Sequence, residues 1–422
     1  MKTAGIIAEY NPFHCGHAYH IKQTKKETGA DYIIAVMSGN FVQRGAPALL
    51  NKYERTKMAL ENGVDLVLEL PTITALSSAE GFARGGVSIL TGLGVVTDIS
   101  FGCEISESSD VRYLQDVACL FVQEPSGYRQ LLSSYLKQGL SFPSARMRAA
   151  GEYLGSKSCG GSVRQAELLK NPNNILAVEY LKAICKYKYT IRPCFIPRCG
   201  GAYHDPDMNK SFASATAIRN YLFHDHMPGS NPNRLKRVVP DSVSDTLFDA
   251  FSRNMFLQEN DFSDLLYHAL TDHYHNLGQF GCVNDDFIQR LQKQLEHFES
   301  WSQFAMLLKT KNRTYTSISR YFSHVLNGIR QEHLTQASGF RFAPYARILG
   351  FQKKAAPLLK ELQNKSRIPV ITSIAGQIDD LKTCQKNLLE LDIRASQFYS
   401  HMRFTKSGIR EKSELRQPMV IL

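Results

Sequence analysis

Several features that mark other classes of protein are missing from this 422-residue chain. No apolar run approaches the roughly 20 residues of a membrane-spanning helix, so we expect no contact with a membrane. The first residues show no charged-then-apolar leader of the kind that directs secretion. The nine cysteines are odd in number and scattered, which favours reduced thiols in a cytoplasmic enzyme over a secreted disulfide framework. No internal repeat or low-complexity segment is visible.

The charge of the chain is unevenly distributed. The net charge is +11, and residues 301–422 alone carry 20 Lys and Arg against 8 Asp and Glu. A basic surplus confined to one part of a chain indicates binding of a polyanion such as RNA, although a solvated basic surface is the alternative. The length exceeds one typical domain. We therefore predict a first domain over residues 1–234 and a mostly helical, basic, RNA-binding region over residues 235–422.

The N-terminal segment has the pattern of a strand, a tight turn and a helix. Ile6–Ala8 is a short apolar run typical of a buried strand, and Asn11-Pro12 breaks it. A helical pattern begins at His17, so His14 and His17 should lie at the turn. Unpaired amides at the start of a helix, together with its dipole, favour negative charge. The sequence therefore predicts a phosphate-binding corner with two imidazoles.

Two other interpretations of this corner remain open. The histidines could simply lie on the surface of an ordinary turn. A zinc site is the second alternative, because His14, Cys15, His17 and His20 are all possible ligands. No second cluster of cysteine or histidine follows at ligand spacing, so we predict no metal site.

Strand and helix patterns alternate through the first hundred residues. This alternation predicts an α/β fold with a Rossmann-like, doubly wound parallel sheet. Ligands of such sheets bind at the carboxyl edge of the strands. The predicted strands after the first are Tyr32–Met37, Asp65–Leu70 and Ile99–Gly102, and the predicted helices between them are Lys52–Asn62 and Ser78–Leu93.

Further expectations concern single charges and the later part of the chain. Arg55 and Lys57 should be exposed charges on their helix. Residues 139–164 look like a basic, loop-rich insertion, and the alternation of strands and helices should cease from Leu235 onward. Cations interleave with aromatic residues in the basic part, a mixture that suits phosphate contacts and base stacking but equally suits helix packing. The residues of that mixture are Arg313, Tyr315, Arg320, Tyr321, Arg330, Arg341, Phe342, Tyr345 and Arg347.

Four separated segments carry a resemblance to a known family. They are the N-P-F-H-x-G-H motif ending at His17, Ser38–Gly45, Asn171–Ala177 and Ser214–Arg219. Together they resemble the tRNA(Met) cytidine acetate ligase family, within the H-x-G-H nucleotidyltransferase superfamily. In that superfamily the two motif histidines stabilise the phosphates of ATP while its α-phosphorus is attacked.

The resemblance implies the residues of the site. His14, His17 and Arg219 would be catalytic, and Gly102, Asn173, Arg198 and Thr216 would contact ATP. The chain departs from the family pattern at Ala213, Ala215 and Cys199, and the change at Ala215 removes a hydroxyl. The continuous ATP-binding run would consist of Ile7, Ala8, Glu9, Tyr10, Asn11, Pro12, Phe13, His14, Cys15, Gly16, His17, Ala18, Tyr19 and His20.

The resemblance also implies the reaction. Acetate would be activated with ATP, giving acetyl-adenylate and pyrophosphate, and Mg²⁺ would accompany the ATP. The acetyl group would then pass to N4 of the wobble cytidine of elongator tRNA(Met). Two alternatives remain, namely a small-molecule nucleotidyltransferase and a non-catalytic RNA-binding protein with a degenerate nucleotide site.

Overall fold

The computed structural model describes residues 1–155, 168–198, 213–224, 232–281 and 283–422. Cys199, at which the chain departs from the family pattern, lies outside the described residues. The strands are β1 (Thr3–Ala8), β2 (Tyr32–Ser38), β3 (Phe41–Val42), β4 (Ala46–Pro47), β5 (Leu66–Leu70), β6 (Asp98–Cys103), β7 (Arg192–Pro197), β8 (Ala346–Phe351), β9 (Val370–Ile371) and β10 (Val420–Ile421).

The α-helices of the first half are α1 (Cys15–Thr28), α2 (Lys52–Glu61), α3 (Thr72–Ala75), α4 (Ala79–Gly92), α5 (Ser108–Gln123), α6 (Ser126–Lys137), α7 (Phe142–Gly155), α8 (Pro172–Tyr187) and α9 (Ala215–His224). Those of the second half are α10 (Pro232–Lys236), α11 (Asp241–Ser252), α12 (Ser263–Asp272), α13 (Asp285–Gln294), α14 (Trp301–Leu308), α15 (Tyr315–Asn327), α16 (Gln331–Gly339), α17 (Ala356–Lys365), α18 (Ile374–Gln377) and α19 (Thr383–Ser407). Short 3₁₀ helices lie at Glu259–Phe262, Tyr274–Gln279, Leu295–His297, Lys353–Ala355, Ile378–Asp380 and Glu414–Arg416.

The main sheet has the strand order β10-β8-β5-β2-β1-β6-β7, and β9 pairs with β8. The pairs from β5 through β7 are parallel, whereas β8 runs antiparallel to β5. The predicted α/β fold class with a doubly wound, mostly parallel sheet and a helical C-terminal region is confirmed. Because β9 and β10 pair parallel to β8, these three strands run opposite to the other strands described in this sheet.

Helices cover both faces of the sheet, as the pattern of β2 shows. Ile34 and Val36 pack in a core that includes residues of α4, α5 and α8. Ile33, Ala35 and Met37 belong to a second core with residues of α1, α2 and α9. Successive side chains of a strand point to opposite faces. A continuous apolar run is therefore what a strand buried on both faces requires.

A third core joins the C-terminal helices to the first half of the chain. It contains α12, α14 and α15, with Trp301 fully buried, and it also contains Phe41, Ile73 and Leu76. Phe41 follows the carboxyl end of β2 and Ile73 follows that of β5. The helical region therefore packs on the edge of the sheet where ligands of such folds bind.

Three expectations from the sequence are wrong. The described part of the predicted loop at residues 139–164 contains the helix α7. The alternation of strands and helices does not cease for good at Leu235, because β8, β9 and β10 join the main sheet and helices lie between them. Arg55 is fully buried and not an exposed charge. The predicted boundary between residues 234 and 235 stays a prediction.

The mixture of cations and aromatic residues does not form an exposed stacking surface as a whole. Tyr321, Phe342 and Tyr345 are buried, so their rings cannot stack on an RNA base. Arg347 is 5% exposed and pairs with the carboxylate of Glu69 in the interior. Burial of the three rings agrees with the packing interpretation, whereas Arg347 lies in the strand β8 and is not the surface cation that this interpretation expects. Within the described ranges, no helix is both long and apolar enough to cross a membrane.

Candidate active site

The two motif histidines lie where β1 ends and α1 begins. His14 is 8% exposed and directly precedes α1, and His17 lies in its first turn. Their rings are stacked, with centroids 3.7 Å apart and planes at 22°. Because β1 pairs with both β2 and β6, this corner is at the middle of the carboxyl edge of the sheet.

The orientation of the His17 ring is fixed by its neighbours. The backbone N–H of His14 donates to Nδ1 of His17 at 3.2 Å. The rings of Tyr10 and Phe13 flank it at centroid distances of 4.9 Å and 5.4 Å. A neutral imidazole that accepts at one nitrogen carries its proton on the other. His17 is therefore held with Nε2–H as a hydrogen-bond donor.

Burial keeps the histidines of this corner neutral in the free protein. It lowers the pKa of His14 to about 3, and Arg198 and Arg219 lower it further by charge repulsion. The pKa of His17 lies well below its usual range, chiefly because of burial. Repulsion by His14, His20 and Arg198 lowers it further. Burial and Arg198 bring the pKa of His20 to about 4. Arg198 thus acts on all three imidazoles and Arg219 acts on His14, so the positive charge at this corner favours an anion.

One detail of the predicted phosphate corner is wrong. The amide of Cys15, the first residue of α1, donates to the carbonyl oxygen of Val238 at 2.9 Å. The amides of His17 and Ala18 donate to the carbonyl oxygen of His14. Much of the start of this helix is therefore already hydrogen-bonded, and the side chains must supply most of the contacts to a phosphate.

Arg219 reaches the same corner from α9. Its Nη1 donates to the carbonyl oxygen of Asn11 at 2.6 Å, and its Nη2 donates to Oγ1 of Thr216 at 3.2 Å. The side chain of Ser214 accepts from the amide of Ala217 and so caps α9. Arg219 thus spans the loop that carries the histidines and the helix that carries Thr216.

The other predicted ATP contacts form a second group around Glu104. Its Oε1 accepts from Nδ2 of Asn173 at 2.7 Å and lies 4.0 Å from Nε of Arg198. A Cβ atom on Gly102 would lie 3.4 Å from Cγ of Arg198. Arg198 therefore links this group to the histidines. No role was predicted for Glu104.

The remaining residues of the predicted ATP-binding run divide between the core and the site. Tyr10, Asn11, Pro12 and Phe13 are buried, and the run from Cys15 to Tyr19 is half-buried. Ile7, Ala8 and Glu9 are half-buried at the end of β1. The imidazole Nε2 of His20 lies 3.0 Å from Oγ of Ser100 on β6.

The buried Arg55 stabilises the backbone just after β1 and at the end of β2. The sequence did not reveal this role. Its guanidinium donates to the carbonyl oxygens of Glu9 at 2.7 Å, of Ser38 at 3.0 Å and of Gly39. Oε1 of Glu9 in turn accepts from the amide of Gln43 at 2.8 Å. Arg55 therefore joins the carboxyl ends of β1 and β2. A charge on a helix is normally exposed, so no local signal marks this position.

A buried ionic cluster lies farther along the same edge. Lys52 contacts Glu69 and Glu414, both at 2.6 Å, and Arg347 contacts the same carboxylates at 2.7 Å and 2.5 Å. Two positive and two negative charges make the cluster neutral. Beside it is a polar cavity of about 260 Å³, lined by Asn40, Asn51, Tyr53, Ser400, Glu411, Lys412, Glu414 and Gln417.

The zinc alternative gains no support from the geometry. Nδ1 of His17 is occupied by an amide, and Nε2 of His20 faces a serine hydroxyl. Across the described ranges, no group of three or more His, Cys, Asp or Glu side chains is placed to hold a metal ion. The arrangement instead provides donors and positive charge around a half-buried corner, which suits a phosphate chain.

Comparisons with known proteins agree with this arrangement. A family model described as HIGH Nucleotidyl Transferase matches residues 1–414. A tRNA(Met) cytidine acetate ligase of Clostridium kluyveri is 39% identical over 423 residues, covering 100% of this chain and 99% of the relative. One of Thermosipho melanesiensis is 38% identical over 436 residues, with the same coverage.

Solved structures show the same likeness along the whole chain. Apo TmcAL of Thermotoga maritima superposes with a TM-score of 0.91 at 31% identity, and all of both chains is covered. TmcAL bound with alpha-thio ATP superposes with a TM-score of 0.88 at the same identity and coverage. The chain therefore belongs to the tRNA(Met) cytidine acetate ligase family, within the HIGH nucleotidyl transferases.

Proposed function

We propose that this protein activates acetate with ATP and transfers the acetyl group to N4 of the wobble cytidine of elongator tRNA(Met). The observation that carries the proposal is the convergence of His14, His17 and Arg219 at the carboxyl edge of the sheet. Relatives that match the whole chain are named for this ligase, and the TmcAL neighbour was solved bound with alpha-thio ATP.

In the first step, an oxygen of acetate attacks the α-phosphorus of ATP. The new P–O bond forms acetyl-adenylate, and the bond to the β-phosphate breaks to release pyrophosphate. Acetate is a weak nucleophile, so catalysis depends on orienting it and neutralising the charge that grows on the leaving phosphates. Nε2–H of His17 and the guanidinium of Arg219 are the groups that would do this.

In the second step, the N4 amine of cytidine attacks the acetyl carbonyl carbon. The bond to AMP breaks, AMP leaves with its electron pair, and the amine loses one proton. The base must be unstacked to reach the site, which a loop of tRNA allows. Exposed cations of residues 301–422, such as Arg330 and Arg341, support phosphate contacts with the tRNA.

Mg²⁺ would enter as part of the ATP substrate and would neutralise charge on its phosphates. This fits the donor set, because the described residues hold no carboxylate cluster that could serve as a separate cage. The proposed substrates are those of a cytoplasmic enzyme, and that location stays a prediction.

Incubation with ATP, ¹⁴C-acetate and total tRNA tests the proposal. We expect pyrophosphate release that requires acetate, and label in N4-acetylcytidine of elongator tRNA(Met) alone. Label in a small acceptor would instead support the small-molecule nucleotidyltransferase. If no nucleotide turns over, the protein would be a binding protein and the proposal would be wrong.

A further inference from the structure

Glu104 is the centre of a hydrogen-bonded group that joins β6 to α8. The backbone N–H of Glu104 donates to Oδ1 of Asn174 at 2.8 Å, and Nδ2 of Asn174 donates back to the carbonyl oxygen of Glu104 at 3.0 Å. Nδ2 of Asn174 also donates to the carbonyl oxygen of Leu168, and Asn174 is fully buried. The backbone of Glu104 is therefore fixed relative to the first turn of α8.

The side chain of Glu104 has few partners for a partly buried charge. Its side chain is 27% exposed, and its Oε2 is buried without a hydrogen bond in the described part of the chain. Its Oε1 accepts from Nδ2 of Asn173, and Arg198 lies 4.0 Å away. A buried carboxylate needs donors around it. The amide of Asn173 thus donates a hydrogen bond that the Glu104 carboxylate needs, and its loss would be costly.

This contact decides which end of the Asn173 amide is free. An ionised carboxylate only accepts hydrogen bonds, whereas an asparagine amide has a donor end and an acceptor end. The donor end must therefore face Glu104, and Oδ1 must face the other way. Oδ1 of Asn173 makes no hydrogen bond to another described residue, and the side chain is half-buried.

We infer that Glu104 is a positioning residue that makes Asn173 present a hydrogen-bond acceptor to the adenosine part of ATP. The inference rests on the proposed function, since it places the nucleotide beside Gly102, Asn173 and Arg198. Oδ1 of Asn173 accepts from a donor on adenosine, either the 6-amino group of the base or a ribose hydroxyl. Because a buried acceptor left unpaired is costly, a nucleotide without that donor binds less well.

The experiment compares ATP with three analogues, each lacking one donor. They are ITP, in which an oxygen replaces the 6-amino group, 2′-deoxy-ATP and 3′-deoxy-ATP. Acetate-dependent pyrophosphate release gives kcat/KM for each nucleotide, and the quantity of interest is the ratio of ATP to each analogue. Since every ratio is taken within one variant, a general loss of folded protein cancels.

We expect the wild-type protein to prefer ATP to one of these analogues by about tenfold, as one hydrogen bond implies. In Asn173→Ala that ratio falls close to one. In Glu104→Gln the same ratio falls several-fold. A glutamine amide can donate as well as accept, so the Asn173 amide can rotate and no longer always presents Oδ1 to the nucleotide. If the variants lose the preference for ATP over ITP, the 6-amino group is the donor. If they lose the preference for ATP over a deoxy analogue, a ribose hydroxyl is the donor.

Glu124→Gln is the matched control, because Glu124 is exposed just after α5. It should keep every wild-type ratio. If Glu104→Gln and Asn173→Ala also keep all three ratios, the inference is wrong. Equilibrium binding of the same four nucleotides gives the ratios without turnover, so failure of the ligase reaction and failure of this inference are distinguishable.

Discussion

Nη1 of Arg219 lies 2.6 Å from the carbonyl oxygen of Asn11, although 208 residues separate the two positions. Asn11 also accepts from the amide of Leu49 through its side chain at 2.8 Å. The loop before α1 is therefore held from two distant parts of the chain. This contact places the guanidinium beside the motif histidines, where a triphosphate would need it.

Replacement of Arg219 should damage the first step selectively. Its two nitrogens make separate contacts, to Asn11 and to Thr216, so a single ammonium cannot reproduce them. We expect Arg219→Ala to lower kcat/KM for ATP about 100-fold and Arg219→Lys to recover only part of it. Arg253→Ala, in an exposed pair with Asp249, is the control. A wild-type rate in Arg219→Ala would contradict this role.

Gly102 should tolerate a small side chain and reject a large one. A Cβ atom would lie 3.4 Å from Cγ of Arg198, which is ordinary van der Waals contact. Gly102→Ala should therefore leave KM for ATP nearly unchanged. Gly102→Val adds two methyl groups beside Arg198 and should raise that KM about tenfold or more. Equal values of KM in both variants would show that nothing binds over this glycine.

Breaking the buried ionic cluster should make the folded protein less stable. Lys52 and Arg347 together hold the pKa of Glu414 at about 2, although burial by itself would raise it. Glu414→Ala removes one of the two carboxylates that neutralise these cations. We expect the free energy of unfolding in guanidinium chloride to fall by about 3–5 kcal/mol.

The control for that experiment is Glu361→Ala. Glu361 pairs with Lys365 on the exposed surface of α17, where both side chains are largely in solvent. Exposed pairs contribute little to stability. Similar losses in the two variants would mean that the buried cluster contributes no more than a surface pair.

His324 should make the fold less stable as the pH falls. Burial lowers its pKa to about 4, with a smaller effect from Arg320, and its Nε2 lies 3.0 Å from the carbonyl oxygen of Leu76. In the unfolded chain the pKa is about 6.5. Between those values only the unfolded state takes up the proton, so stability falls with decreasing pH by up to about 1.4 kcal/mol per unit.

Denaturation of His324→Gln at several values of pH between 6.5 and 4 checks this expectation. The variant should lose stability less steeply over that range than the wild-type protein does. The exposed His268→Gln shows the effect of removing a histidine from the surface. If His324→Gln keeps the wild-type slope, His324 does not supply this pH dependence.

The strands that could be predicted from the sequence are those whose apolar residues are also buried in the structure. Tyr32–Met37 is an apolar run between turn residues, and the structure has β2 at Tyr32–Ser38. β8 could not be found in this way, because it pairs with β5, some 280 residues earlier in the chain. Arg347 also stands within this strand, where a charge would normally argue against burial.

The site was less accessible to sequence reasoning than the sheet. Three asparagines at 171–174 have equal capping propensity, and only the packing of α8 against β6 distinguishes them. In the structure Asn174 hydrogen-bonds the backbone of Glu104, and Asn173 hydrogen-bonds its carboxylate. Arg55 was missed for a related reason, since its partners are backbone carbonyls that no sequence pattern specifies.

A crystal structure of this protein with alpha-thio ATP would show directly where the triphosphate binds. We expect phosphate oxygens within hydrogen-bond distance of Nε2 of His17 and of the guanidinium of Arg219, with the adenosine beside Gly102. A nucleotide bound elsewhere, for example in the cavity beside Tyr53 and Glu414, would contradict it.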